Sequence, residues 1–407
     1  MREGWGETTL GDVADVVGGG TPSTSIAEYW NGDIIWLTPT EITSQDGKVV
    51  TDSIRKISNA GFKNSGAQML PKGSVILTSR ASVGYVALSG LALCTNQGFQ
   101  SLVPKESAMA EFLMFWIQQN RAEFESRSAG STFKEISKSN VKSIKIFLPP
   151  IVVQKRIVDL VSSVDSYLAK LRDTLAKSVA ARKSAIETQL NYFNDSAPIF
   201  KLEELCAKGK SAIVDGPFGA NLKRGDYLNE GIPVLKIQNI KQDFIVIKKM
   251  DFVNEKKFLE LRRHSFQTND IVMTKLGDPL GLSAVVRDLE KGLIVADLVR
   301  IRPDKIDVEF LCIQLNSARI QNYINRMQKG STRPRVNLGM IRELPIVVPS
   351  DEEVRNFVSV FGSWSQHNKV LEEAISATEE LRRGLLFDLL SGKHEIPASY
   401  DKYVGVV

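Results

Sequence analysis

Arginine, lysine, asparagine and glutamine are the side chains that read guanine and adenine edges, while serine and threonine commonly hold phosphates. This chain places such residues beside glycines and at the ends of apolar, β-branched runs, in two separate stretches. The first stretch offers Thr21, Ser23, Thr38, Thr40, Glu41, Ser79, Arg80, Ser131 and Lys134 as candidate DNA-binding residues. The second offers Asn221, Lys223, Arg224, Lys236, Gln238, Asn239, Lys275, Ser331, Arg333 and Arg335. The plain alternative for each is a solvated loop side chain. The two sets differ in chemistry, with "LTPTE" against "LKIQN" and "TFKEIS" against "TRPRVN", as two readers with different targets would.

Arrangements that do covalent chemistry are absent from the sequence pattern. His264, His367 and His394 lie far apart and outside any metal-ligand spacing, so each reads as a surface or core residue. A phosphate-binding loop ending in Gly209-Lys210-Ser211 requires glycine at position 204, where Glu204 stands. "GGGTPS" at 18–23 holds no GxGxxG pattern and reads as a mobile loop. "FLPP" at 147–150 lacks the leading amide or acid with which amino-methyltransferases accept from an exocyclic amine, so it reads as a strand end. Cys94, Cys206 and Cys312 are scattered and odd in number, and read as small core residues in a reducing cytosol.

The scaffold that must position these loops is written twice. "GSTFKEISKSNVKSIKIFLPP" begins at Gly130 and "GSTRPRVNLGMIRELPIVVPS" at Gly330. At an offset of 200, Gly130, Ser131, Thr132, Ile146 and Pro149 are identical to Gly330, Ser331, Thr332, Ile346 and Pro349. "WLTPTEI" (36–42) faces "VLKIQNI" (234–240), "GSVILT" (73–78) faces "NDIVMT" (269–274), and "EFL" recurs at 309–311, all in order. Each half reads as an α/β or α+β globule of short strands, 75–78, 144–148, 234–237 and 271–274 among them. One helix-like segment interrupts each, at 111–124 and 308–327.

A proline then ends each globule and a long helix follows. In 151–192 apolar residues recur at steps of three and four, from Ile157 through Leu168, Leu171, Leu175 and Val179 to Leu190. In 351–390 the series runs from Val354 through Phe357, Phe361 and Leu371 to Leu381, Leu385 and Leu389. Both are coiled-coil seams. Ser350 with Glu353 forms a capping box, and Gly392 is placed to stop the second helix. Residues 151–193 carry seven basic and four acidic side chains; 351–391 carry eight acidic and four basic. Opposite sums favour pairing of the two, and a pseudo-two-fold relation makes them antiparallel, with one globule expected at each end.

Bulk properties agree. The 407 residues exceed one core and suit two or three domains. With 43% hydrophobic and 24% charged residues, the composition is that of a soluble globular protein. No apolar run approaches a membrane span, and Met1-Arg2-Glu3-Gly4 opens no signal peptide, so a cytoplasmic protein is expected. A net charge of +5 is compatible with a nucleic-acid partner without proving one.

The chain resembles the specificity subunit of a type I restriction–modification system. "TLGDVADVVGGGTPS", the segment from "GSTFKEIS" to "VDSYLAKL", and "LRRGLLFDLLSGK" carry the resemblance, which covers essentially the whole chain. It implies two target-recognition domains, 1–150 and 200–350, each reading half of a bipartite double-stranded DNA target. Two spacer helices, 151–193 and 351–391, would separate them as an antiparallel coiled coil. Two methyltransferase subunits would dock on it, and restriction/translocase subunits would join for cleavage. The subunit itself would be non-catalytic and without cofactors, with adenosylmethionine, ATP and magnesium on its partners. "RPR" after the second Gly-Ser-Thr departs from "FKE" and is more basic, which implies more phosphate or guanine contact there. Two other classes stand against this reading. A self-contained methyltransferase or nuclease would bind adenosylmethionine alone; a coiled-coil interaction scaffold would show no sequence preference on DNA.

Overall fold

The computed structural model describes residues 4–130, 134–209, 211–218, 221–248, 250–277, 280–327 and 334–403. The chain forms two compact units, one of Met1–Asp173 with Glu373–Val407, the other of Thr174–Glu372.

In the first unit a five-stranded sheet runs in the order Ala14–Gly18, Gln100–Pro104, Val75–Leu77, Val86–Ser89, Val49–Val50. Its central strand, Val75, Ile76 and Leu77, is wholly buried, which is why it reads as an unbroken apolar run rather than an alternation. A three-stranded sheet orders Arg55–Ile57, Trp30–Leu37, Cys94–Thr95, and a ribbon pairs Gly6–Thr9 with Lys145–Leu148. The second unit repeats the plan. One sheet orders Ile213–Asp215, Leu298–Ile301, Ile271–Thr274, Ser283–Val285, and another Asp251–Val253, Ile232–Leu235, Lys291–Ile294, Ser265–Gln267. Its ribbon pairs Ile199–Lys201 with Pro345–Val347. Pairing is antiparallel except at a few parallel contacts, so the class is α+β.

The registers coincide between units. Leu37 lies beside Thr95 in parallel pairing, as Leu235 lies beside Ile294. The Leu10 amide donates to the Ile144 carbonyl at 2.9 Å, and the Leu202 amide to the Leu344 carbonyl at 2.9 Å. The units differ where a strand is added: among the described residues Val49–Val50 has no counterpart in the second unit's sheets, and Ser265–Gln267 none in the first's.

The segments expected as one helix are two in each unit. Ala110–Gln119 is followed by Arg121–Ser126, and Val308–Leu315 by Ala318–Met327. Asn120 causes the first break, its side-chain amide bonding back to the Trp116 carbonyl at 2.8 Å. Ser317 does the same at the second, its hydroxyl donating to the Gln314 carbonyl at 2.6 Å. The strand expected at 234–237 stops at Leu235, because Lys236 caps a 3₁₀ turn, Ile237–Asn239.

The long helices are Ile151–Ser196 and Asp351–Leu390. The Ser350–Glu353 capping box is present: the Ser350 amide and hydroxyl both donate to Glu353 Oε2, at 2.9 and 2.7 Å. These bonds hold the Glu353 carboxyl below its usual range. Gly392 has φ of 68° and its amide bonds to the Leu389 carbonyl, ending the helix. Within each unit the two helical halves pair antiparallel. In the first, Arg382 chelates Asp165 and Arg172 meets Glu379. In the second, the Ser178 hydroxyl donates to Asn368 Oδ1 at 2.6 Å and Arg182 Nε to the Phe361 carbonyl at 3.3 Å.

The seam is narrower than the apolar series suggests. Val179 and Leu381 are 49% and 62% exposed, and Leu171 and Leu175 are half-buried. A straight helix of 3.6 residues per turn drifts away from a 3.5-residue stripe, so one partner helix covers only part of it. The apolar surface closes instead where a globule joins in. Ile157, Val161, Leu386, Leu389 and Leu390 enter the first unit's core; Ile186, Leu190, Phe193, Val354, Phe357 and Phe361 meet Phe310 and Val347 in the second.

Beyond Leu390 the chain folds back onto the first unit. Ile396 is buried, the Tyr400 hydroxyl donates to Asp159 at 2.8 Å, and Arg156 grips Asp401 with two nitrogens. The Arg156 guanidinium holds the Asp401 carboxyl below its usual range.

All three cysteines are free and buried. Burial pushes the Cys94 thiol up to about 11 and Cys206 to about 12, and holds Cys312 well above the usual thiol range. Because only the thiolate reacts, iodoacetamide at pH 8 is expected to label none of the three until denaturant is added. Stoichiometric labelling of the native chain by intact mass would contradict this packing.

Candidate nucleic-acid interface

Each unit folds its candidate residues onto the same frame. The strand Val75–Leu77 runs into Thr78, Ser79 and Arg80, and the strand Ile271–Thr274 into Lys275 and Leu276. Each of these loops is zipped to the segment after the Gly-Ser-Thr phrase. Ala81 donates to the Lys134 carbonyl at 3.0 Å and Ile136 to the Ser79 carbonyl at 3.0 Å. In the second unit Gly277 donates to the Pro334 carbonyl at 3.2 Å and Val336 to the Lys275 carbonyl at 3.1 Å. Ser131, Ser331 and Arg333 lie outside the described residues. Lys134 and Arg335 are exposed on these segments, and Arg80 pairs with Glu135 at 2.8 Å.

A second loop meets this one in each unit, leaving the strand before "GGTP" or "GPFG". A side chain at Gly19 would strike the Asn96 carbonyl oxygen at 2.0 Å, and one at Gly216 the Val295 backbone at 2.1 Å. Equivalent glycines therefore press both loops onto equivalent backbone. In the second unit this places Asp215 against Lys275, with Nζ 2.7 Å from Oδ2. In the first, the positions matching that ion pair are Gly18 and Ser79. Ser79 is buried, and among the described residues neither its hydroxyl nor the buried Gln100 side-chain oxygen has a hydrogen-bond partner. Thr21, exposed at the loop tip, hydrogen-bonds Gln97, and Ser23 meets the Ser25 hydroxyl.

The third region is a cap shared by both halves. Thr38 donates from its amide and hydroxyl to Glu41, and the Lys236 amide donates to Asn239 Oδ1 at 3.0 Å. Glu41 also accepts from the Ile54 amide, and Asn239 donates to the Val246 carbonyl, so both are buried at 7% and 2% exposure. The Lys236 ammonium is held by Asp251 and lies 4.1 Å from the Tyr227 ring centre. Glu41, Ser79 and Asn239, candidate DNA-binding residues from the sequence, are buried by the fold. Thr-x-x-Glu at 38–41 was itself a capping signal. Thr40 and Gln238 remain exposed beside these caps, as do Asn221, Lys223 and Arg224 on the loop following Phe218.

Phe218, absent from the candidates read from the sequence, stands two residues after Gly216 as Thr21 stands two after Gly19, and is 71% exposed. The surviving surface set offers ammonium, guanidinium, amide and hydroxyl groups on loops held by backbone zippers. That chemistry hydrogen-bonds base edges and neutralises phosphates. Among the described residues no three or more His, Cys, Asp or Glu side chains gather to hold a metal, and no helix is long and apolar enough to cross a membrane.

Known proteins resemble this chain along its length. A family profile described as the type I restriction modification DNA specificity domain matches residues 2–179. The type I restriction enzyme MjaIX specificity subunit of Methanocaldococcus jannaschii is 27% identical over 96% of this chain and 93% of its own. The EcoKI specificity subunit of Escherichia coli is 22% identical over 97% of this chain and 90% of its own. Among solved structures, the S subunit of a type I restriction–modification system from M. genitalium aligns over 95% of this chain and 96% of its own, with a TM-score of 0.54 at 16% identity. A second, from a study of type I R-M complex assembly, aligns over 96% and 98% with a TM-score of 0.60 at 16% identity. The structural likenesses show a shared fold.

Proposed function

We propose that the chain is a specificity subunit of a type I restriction–modification system and that each of its two globules reads one half of a bipartite DNA target. The globules correspond to residues 1–150 and 200–350. The helices 151–193 and 351–391 set the distance between the half-sites and dock two methyltransferase subunits, which restriction/translocase subunits join for cleavage. The subunit works in the cytoplasm and does no covalent chemistry; adenosylmethionine, ATP and magnesium are bound by its partners.

One observation carries this reading. The two units repeat the same strand registers, loop zippers and caps, yet present different side chains on them: Thr21 against Phe218, Thr40 against Gln238. A repeated frame with altered loop chemistry is what two readers of different sequence require. A scaffold that binds only proteins has no need of it.

The test is single-molecule sequencing of genomic DNA from a methylation-deficient host expressing the chain with its methyltransferase subunit. Adenine methylation at one motif made of two short specified blocks around a fixed unspecified gap is the expected result. Methylation at a contiguous motif, or none with an assembled complex, would remove the two-reader function.

A further inference from the structure

The loop after Ile213–Asp215 is pinned on both sides of its tip. Gly216 presses on the Val295 backbone, Pro217 is buried, and Leu222 packs into the cluster with Ile232, Val234 and Leu261. The Asn221 amide closes the turn on the Phe218 carbonyl at 2.9 Å. Between these anchors Phe218 stands 71% exposed. A single exposed apolar side chain is ordinary on a protein surface; what distinguishes this one is the chemistry around it.

Its surroundings point to the partner. The Lys275 ammonium lies 5.7 Å from the ring centre, held by Asp215. Lys275 also accepts at its carbonyl from Val336, next to exposed Arg335. Exposed Lys223 and Arg224 follow on the same loop. A ring with one ammonium beside it and further basic residues on the same and the neighbouring loop suits a surface that is apolar at one spot and anionic around it. Duplex DNA offers that combination at a thymine, whose 5-methyl is the apolar group on the major-groove edge. A phenyl ring has no donor or acceptor with which to read any other edge.

We propose that Phe218 is a specificity-determining residue whose ring covers a thymine 5-methyl group in the half-site read by the second globule. The inference rests on the two-reader function above. At the matching position Thr21 presents a hydroxyl bonded to Gln97, so the first globule reads its half-site by polar contacts there.

The experiment uses the full chain assembled with its methyltransferase subunits and duplexes carrying the target defined by sequencing. Each thymine of the target is replaced in turn by uracil, which removes only the methyl. The wild-type complex is expected to lose about four-fold in affinity at one second-half-site position, the worth of one buried methyl-sized group. Phe218→Ala should bind thymine and uracil equally there, accept other bases at that position, and leave the first half-site unchanged. Phe218→Leu should retain part of the preference. Because Phe218 is exposed, both variants should melt like the wild type. Uracil indifference of the wild type at every second-half-site position would overturn the proposal. So would full retention of the preference in Phe218→Ala, or an equal loss on all sequences. Replacing residues 200–350 with another subunit's region separates the failures: if no half-site changes, the two-reader function itself falls, whatever Phe218 does.

Discussion

Exchanging residues 1–150 for the matching region of another specificity subunit is expected to replace one half of the methylated sequence entirely, leaving the other half and the gap unaltered. Among the described residues, the strands that hold the first unit's loops pair with one another, from Gly6–Thr9 through Lys145–Leu148. The join at Pro149-Pro150 falls where strand ends and helix begins. The chimera must still fit Ile157, Val161, Leu386, Leu389 and Leu390, which share this unit's core. Thermal melting therefore accompanies the methylation readout, so that a misfolded graft is recognised as one. A well-folded chimera that changes both half-sites, or neither, would refute independent reading.

The largest stability effect is expected at Phe357. Its ring lies 5.0 Å from Phe310, 6.0 Å from Phe193 and 4.5 Å from Phe361, and it is 4% exposed. Phe357→Ala leaves a cavity where the helices meet the globule, at a cost of about 3–5 kcal/mol. Val360→Ala, on the same helix and in the same unit but with a side chain 57% exposed, should change stability by less than ~0.5 kcal/mol. A chain of two units need not unfold in one step. Hydrogen exchange of the Val308–Leu315 amides is therefore the measurement, since it reports the second unit directly. Equal protection in both variants would mean that the aromatic cluster does not fasten the helices to the globule.

The repeat was legible because backbone demands left identical letters: Gly-Ser-Thr, Ile and Pro at a fixed offset. The central strands were legible because they are buried on both faces and read as unbroken apolar runs. What the letters hid was direction. Glu41 and Asn239 are types that read bases, but their spacing from Thr38 and Lys236 suits a cap, and the cap claims them. Ser79 sits where a short side chain lets the loop close inward, whereas the longer Lys275 reaches Asp215. The seams misled in the other direction. Apolar period alone could not tell that Leu381 faces solvent while Leu386, outside the chosen stripe, is buried. Phe218 escaped notice because an aromatic residue reads as core until its neighbours in space are known.

The two units also differ in how the chain supplies them. The second is one unbroken segment, Thr174–Glu372, whereas the first takes Met1–Asp173 and then waits for Glu373–Val407. Its core needs Leu386, Leu389, Leu390 and Ile396, and its Arg156 needs Asp401. On a ribosome releasing residues in order, the later-encoded unit has all its parts first. The unit begun first lacks Leu386, Leu389, Leu390 and Ile396 from its core until residues 373–407 are made. Of the two units, the one begun first is thus completed second.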